Sequence, residues 1–191
     1  MLLPYLKKGI VTPMKCGTHT VHFVGREMMK RKGEGKPICM GHIHYSDIVR
    51  QANKAGYTGF ELAQHIRDPI DRMVSCLNHQ YGRRKHPRGG DKHMTLDKVY
   101  EICQVEGKKA LFPPQIAFWH WEAKLFPFEG FEMIRWLGWG EEEIPHEYPT
   151  NNKRFTRPQV EAHPICEYIM DEFGYKYDYA LREMVGVKRE I

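Results

Sequence analysis

No two cysteines of the chain form a C-x-x-C pair, which argues against a zinc ribbon or a thioredoxin-type redox centre. The five cysteines, Cys16, Cys39, Cys76, Cys103 and Cys166, are odd in number and widely scattered. That usage predicts reduced thiols and a cytoplasmic setting, although spacing by itself leaves disulfide pairing open. No apolar run approaches the ~20 residues that span a bilayer. Residues 1–8 lack a long apolar core behind a basic segment, so neither a membrane anchor nor a secretory signal is expected. No internal repeat is visible. Nowhere does a glycine precede, by four residues, a Gly-Lys-Ser/Thr triplet, so the Walker A loop is missing.

What is present reads as an ordinary globular chain. Its 191 residues are 41% hydrophobic, enough for one full core, and predict a single domain over 1–191. Aromatics make up 12% and the formal net charge is +5, an excess that suits an anionic ligand or an acidic polymer without establishing either.

Along the chain, strand patterns alternate with helix patterns. Strands are expected over 2–11 (interrupted at Lys7-Lys8-Gly9), 37–40, 59–66 and 125–129. Helices are expected from the residue-18 region to about Arg31, over 45–55 with Ser46 as a cap, after Asp68-Pro69, and over 95–106 capped by Thr95. Further helices are expected over 113–124, 131–137 and 160–173, the last bent near Pro164. Met73, Val74 and Leu77 should be the buried stripe of the helix after Asp68-Pro69. Of the four tryptophans, most are assigned to the core. The run over 82–93 is strongly basic and reads either as a solvated loop or as the wall of a groove for an anionic saccharide. Strands alternating with helices predict an α/β fold, with a central parallel sheet flanked by helices on both faces. Ligands in such folds bind at the carboxyl ends of strands, where Lys15, His42 and Arg67 all fall.

The stretch Thr12-Pro13-Met14-Lys15-Cys16-Gly17-Thr18-His19-Thr20 is the first candidate site. Pro13 ends the strand ladder, Gly17 permits a sharp turn, and a helix start follows. Such a loop directs main-chain N–H groups and the positive end of a helix dipole at one place, which suits a phosphate or sulfate. Lys15 adds a mobile charge. The plainer reading is a strand-turn-helix corner with capping threonines. Lys-x-Gly-Thr-x-Thr resembles the 5′-phosphosulfate loop of sulfotransferases that use 3′-phosphoadenosine 5′-phosphosulfate (PAPS).

A second segment, Arg67-Asp68-Pro69-Ile70-Asp71-Arg72-Met73-Val74-Ser75, resembles the 3′-phosphate motif of the same family. A third, Gly41-His42-Ile43-His44-Tyr45-Ser46-Asp47, resembles the Gly-His-x-x-Tyr-x-Asp segment of the uronyl (heparan-type) 2-O-sulfotransferases. The resemblance implies a three-layer, P-loop-like α/β fold. It also implies PAPS as sulfuryl donor, with 3′-phosphoadenosine 5′-phosphate (PAP) as product, no metal, and a hydroxyl acceptor such as an anionic saccharide.

Residue by residue, the resemblance gives the catalytic base to His42 and the charge on the bridging oxygen to Lys15. Lys15, Cys16, Gly17, Thr18, His19 and Thr20 would hold the 5′ end, Arg67 and Ser75 the 3′-phosphate, and Lys153 and Arg154 would lie in a segment that folds over the nucleotide. The chemistry suits these side chains: a histidine titrates near neutrality, and an arginine fork with a hydroxyl fits a phosphate monoester. The His42-x-His44 pair reads alternatively as two metal ligands, although no third ligand stands nearby. Three other functions fit less well. A kinase with a variant phosphate loop would need carboxylates for magnesium. A nucleic-acid-binding module would use the basic charge without any recognised motif. A sulfotransferase fold that binds without catalysis would have no reason to keep Lys15, His42, Arg67 and Ser75 together. Neither a nucleic acid nor a membrane is expected as a partner.

Overall fold

The structure, a computed structural model, describes residues 1–33, 37, 44–82, 94–130, 132–140 and 154–186. The chain divides into two compact units. One is built from Met1–Arg67, Gln115–Glu147 and Leu181–Ile191, the other from Asp68–Pro114 and Tyr148–Ala180.

The first unit is α/β. Its described residues form a four-stranded sheet in the order β1 (Leu2–Leu3), β2 (Lys8–Val11), β3 (Glu61–Ile66), β4 (Ala123–Pro127). β2 and β3 are parallel, with Lys8 opposite Glu61, and β3 and β4 are parallel, with Leu62 opposite Ala123. β1 is antiparallel to β2, so the strand expected over 2–11 is two strands. Pro4, whose fixed φ suits the first position of a helical turn, opens a 3-10 turn over Pro4–Leu6. Lys7 then sits at φ 49 with its N–H bonded to the Pro4 carbonyl at 2.9 Å, which reverses the chain.

Successive strand residues point to opposite faces, and both faces of this sheet are covered. On one, Leu3, Ile10 and Ala63 share a core with Val21, Val24 and Met28 of α1 (Thr18–Arg31). The same core takes Met133, Ile134 and Leu137 from the later helix Glu132–Leu137. On the other face, Leu2, Val11 and Leu62 meet Phe118 together with Ile48 and Ala52 of α2 (Tyr45–Lys54). The cap of α2 is His44 rather than Ser46: the His44 N–H donates to Asp47 Oδ2 at 3.3 Å.

The helix expected over 113–124 is absent. A 3-10 turn covers Gln115–Phe118, and β4 begins at Ala123, ahead of the strand expected at 125. Gln115 is bonded beside Arg67, whereas Ala123 pairs with Leu62, near the start of β3. The chain must therefore travel back along five residues of strand, roughly 17 Å. Eight residues of α-helix advance only about 12 Å, so strand pairing overrides the apolar spacing of Ile116, Phe118 and Trp119. Trp121 is 74% exposed as a result, while Trp139 is buried.

The second unit is helical: α3 (Pro69–Gln80), α4 (Leu96–Glu106), then, after α5 (the Glu132–Leu137 helix of the first unit), α6 (Arg157–Glu161), α7 (Ile165–Glu172) and the first residues of α8 (Asp178–Met184). Asp68 caps α3 by accepting from the N–H groups of Ile70 and Asp71 at 3.0 and 2.9 Å. Thr95 caps α4. Pro164 separates α6 from α7. Met73, Leu77, Val99, Cys103, Val160, Ile165 and Ile169 form the core of this unit.

Cys16, Cys76, Cys103 and Cys166 are thiols rather than disulfides. Among the described residues no helix is long and apolar enough to cross a membrane, and no group of three or more His, Cys, Asp or Glu side chains is placed to hold a metal ion. The strand expected over 37–40, except Pro37, and nearly all of the basic run lie outside the described residues.

Candidate functional site

β2 ends at Val11, and the six residues that follow turn back over the carboxyl end of the sheet before α1 begins. The turn is built around one carbonyl. The oxygen of Pro13 accepts from the Cys16 N–H at 3.3 Å and from the Thr18 hydroxyl at 3.2 Å. Lys15 lies at φ 65 and Gly17 at φ 74. A left-handed lysine costs roughly 1–3 kcal/mol and persists only where its surroundings hold it.

Two contacts hold this turn. A Cβ added to Gly17 would stand 2.8 Å from the Phe128 ring, so the backbone comes as close to that ring as a glycine allows. The Cys16 thiol, 2% exposed, donates to Gln115 Oε1 at 3.0 Å. His19 is exposed, and Thr20 and Lys15 are half-buried. The Thr18 hydroxyl proton turns inward to the loop, so Thr18 shapes the turn instead of offering that donor to a ligand.

Arg67 follows directly after β3. Its guanidinium lies over the Phe128 ring, 4.8 Å from the centroid, and its Nη1 donates to the Lys15 carbonyl at 3.0 Å. Phe128 is fixed where β4 ends by its own N–H, which donates to the Ile66 carbonyl at 2.8 Å. The structure thus brings together Lys15, Cys16, Gly17 and Arg67, from the carboxyl ends of two neighbouring parallel strands. The Arg67 guanidinium and the N-terminal end of a long helix meet there beside Lys15, an arrangement that can bind an anion.

Beneath the loop lies His65, 6% exposed. Neither ring nitrogen has a hydrogen-bond partner. The ring stands edge-on to Phe128, with centroids 6.0 Å apart. Burial pulls its pKa down to about 4, against a smaller upward pull from the backbone of Cys16, so the ring is neutral at pH 7.

Ser75 belongs to the second unit, half-buried on α3. There the Asp68 carboxylate and Asp71 are bridged by Arg157 Nη1 at 3.2 and 3.1 Å. Burial opposes the charge of Arg157, but Glu161, Asp68 and Asp71 outweigh it and raise its pKa. Arg72 is fully buried against Asp178 at 3.8 Å and across the Tyr175 ring at 4.8 Å. Arg154 is half-buried in the same unit. His42 and Lys153 lie outside the described residues.

The expected site left out Gln115, His65 and Phe128. One signal was available: β3 carries two adjacent polar residues, Gln64 and His65, in a strand buried from Leu62 to Ile66.

Compared with protein-family models, with curated proteins and with solved structures, the chain matches none.

Proposed function

We propose that the chain is a PAPS-dependent sulfotransferase of three-layer, P-loop-like fold, moving a sulfuryl group to a hydroxyl of an anionic saccharide. One observation carries the reading: Arg67 Nη1 lies 3.0 Å from the Lys15 carbonyl. Arg67, the first residue of the segment that resembles the 3′-phosphate motif, therefore stands beside the loop that resembles the 5′-phosphate motif. A nucleotide phosphorylated at both ends matches that pair of cationic loops, whereas a simple 5′-nucleotide would leave Arg67 without work.

In this mechanism the first-turn amides of α1, which have no partner inside the helix, face the 5′-phosphosulfate. Lys15 offsets charge on the bridging oxygen as PAP departs. Arg67 holds the 3′-phosphate with the N–H groups that the Lys15 carbonyl does not use. The displacement is in line, and no covalent enzyme intermediate forms. The base that takes the acceptor proton is His42, by the motif Gly41-His42-x-x-Tyr45-x-Asp47.

Thermal-shift titration with PAP and with ATP tests the nucleotide, and radiosulfate transfer from PAPS to a panel of glycans, phenols and alcohols tests the reaction. PAP should stabilise the protein more than ATP does, and a glycan should take the label. Stabilisation by ATP and magnesium, with none by PAP, would point to a kinase and end this reading. His42→Ala should lower turnover by ~100-fold with PAP binding intact.

A further inference from the structure

Gln115 is fully buried and stands where the chain returns to the first unit after leaving it at Arg67. Its side-chain oxygen accepts from the Arg67 N–H at 2.8 Å and from the Cys16 thiol at 3.0 Å, and its side-chain nitrogen donates to the Arg67 carbonyl at 2.8 Å. Its own carbonyl accepts from Gln64 Nε2 at 3.2 Å. Because Arg67 presents both an N–H and a C=O to one carboxamide, the oxygen and nitrogen of that group can be placed in only one orientation. The side chain imitates a neighbouring strand and extends the β3 ladder one residue past Ile66.

We infer that Gln115 is the positioning residue of the anion site, one amide that sets Arg67 and the Lys15–Gly17 turn at a fixed separation. It touches no ligand in this scheme. It acts by fixing the main chain of Arg67, from which the guanidinium reaches the Lys15 carbonyl, and by holding Cys16 inside the turn. The ligand assignment rests on the nucleotide proposed above, while the positioning role is testable without it.

The test titrates PAP and 5′-AMP into the full-length protein and the variants Gln115→Ala, Gln115→Glu, Arg67→Ala and the Gln115→Ala/Arg67→Ala double variant. Gln115→Glu keeps an oxygen for the Arg67 N–H and sets a carboxyl group against the Arg67 carbonyl, and circular dichroism checks that each variant is folded. PAP affinity should fall about tenfold or more in both Gln115 variants, and 5′-AMP affinity much less, because it lacks the 3′-phosphate. In the Arg67→Ala background the Gln115 change should add little, the mark of two residues acting as one.

Folded Gln115 variants that bind PAP like wild type would overturn the inference. So would equal losses for both nucleotides that add to the Arg67 loss. If wild type binds neither nucleotide, the sulfotransferase reading fails by itself, and hydrogen exchange at the Arg67 amide decides Gln115. Exchange about tenfold faster in Gln115→Ala, with Ile66 unchanged, supports the positioning role, and unchanged exchange at Arg67 removes it.

Discussion

In the second unit, Arg72, Asn78, Tyr81 and Tyr175 each reach a main-chain carbonyl of an irregular segment. Arg72 Nη2 donates to Pro113 at 2.6 Å, Asn78 Nδ2 to Phe155 at 2.7 Å, Tyr81 to Ala110 at 2.6 Å and Tyr175 to Phe112 at 2.9 Å. In the first unit, polar burial gathers at the carboxyl ends of β2 and β3, and there His65 leaves both ring nitrogens without partners. The first arrangement satisfies carbonyls that no helix or sheet can reach. The second carries an unmet desolvation cost, directly under a turn with a left-handed lysine. Buried polarity therefore serves mainly architecture in the second unit, although Gln80 Oε1 is unmet there too, and in the first it carries a cost beside the candidate site.

Removing Arg72 should have the largest effect. In Arg72→Ala the buried Asp178 carboxylate loses its counter-charge, and denaturant unfolding should show a loss of ~3–5 kcal/mol. A loss below ~1 kcal/mol would mean that this buried network does not bear the second unit's stability.

His65 probes the opposite side of the comparison. Its folded pKa of about 4 lies below the ordinary 6.5, so between those values the unfolded chain binds more protons. Its contribution is therefore complete above pH 6.5 and is lost as pH falls toward 4, by about 3 kcal/mol. His65→Leu should flatten that part of the stability–pH curve. If wild type and variant keep the same slope, the ring does not carry the cost assigned to it.

Gly17→Ala should lose ~1–3 kcal/mol by thermal unfolding, because the position combines φ 74 with a Cβ 2.8 Å from Phe128. A neutral result would show that the turn has slack. Thr95→Ala should give the smallest effect, about 1 kcal/mol, since it removes only the oxygen that accepts from the Lys98 N–H at 3.3 Å.

Local chemistry was legible in the sequence. Pro13, Gly17 and the helix after them announce the turn. Asp68-Pro69 announces α3, and Met73, Val74 and Leu77 announce its buried stripe. These signals span a few residues and need no distant partner. The start of β4 was hidden because Ile116, Phe118 and Trp119 imitate a helical period, and only the pairing of Ala123 with Leu62 excludes a helix there. The reversal between β1 and β2 reads in sequence only as an interruption at Lys7-Lys8-Gly9, whereas the turn opens at Pro4. Gln115 could not be found from its neighbours, since its partners Arg67 and Cys16 are 48 and 99 residues away.

The pairing of β3 with β4 also constrains how the protein is made. On the ribosome, β3 emerges long before Ala123 and has a neighbour on one side only. Gln115 is translated ahead of β4, and its amide can engage the Arg67 main chain while the strand's other flank is still open. A nascent chain from which Gln115 but not β4 has emerged would then hold the end of β3 in register with one exposed border, the state most prone to pairing with another chain.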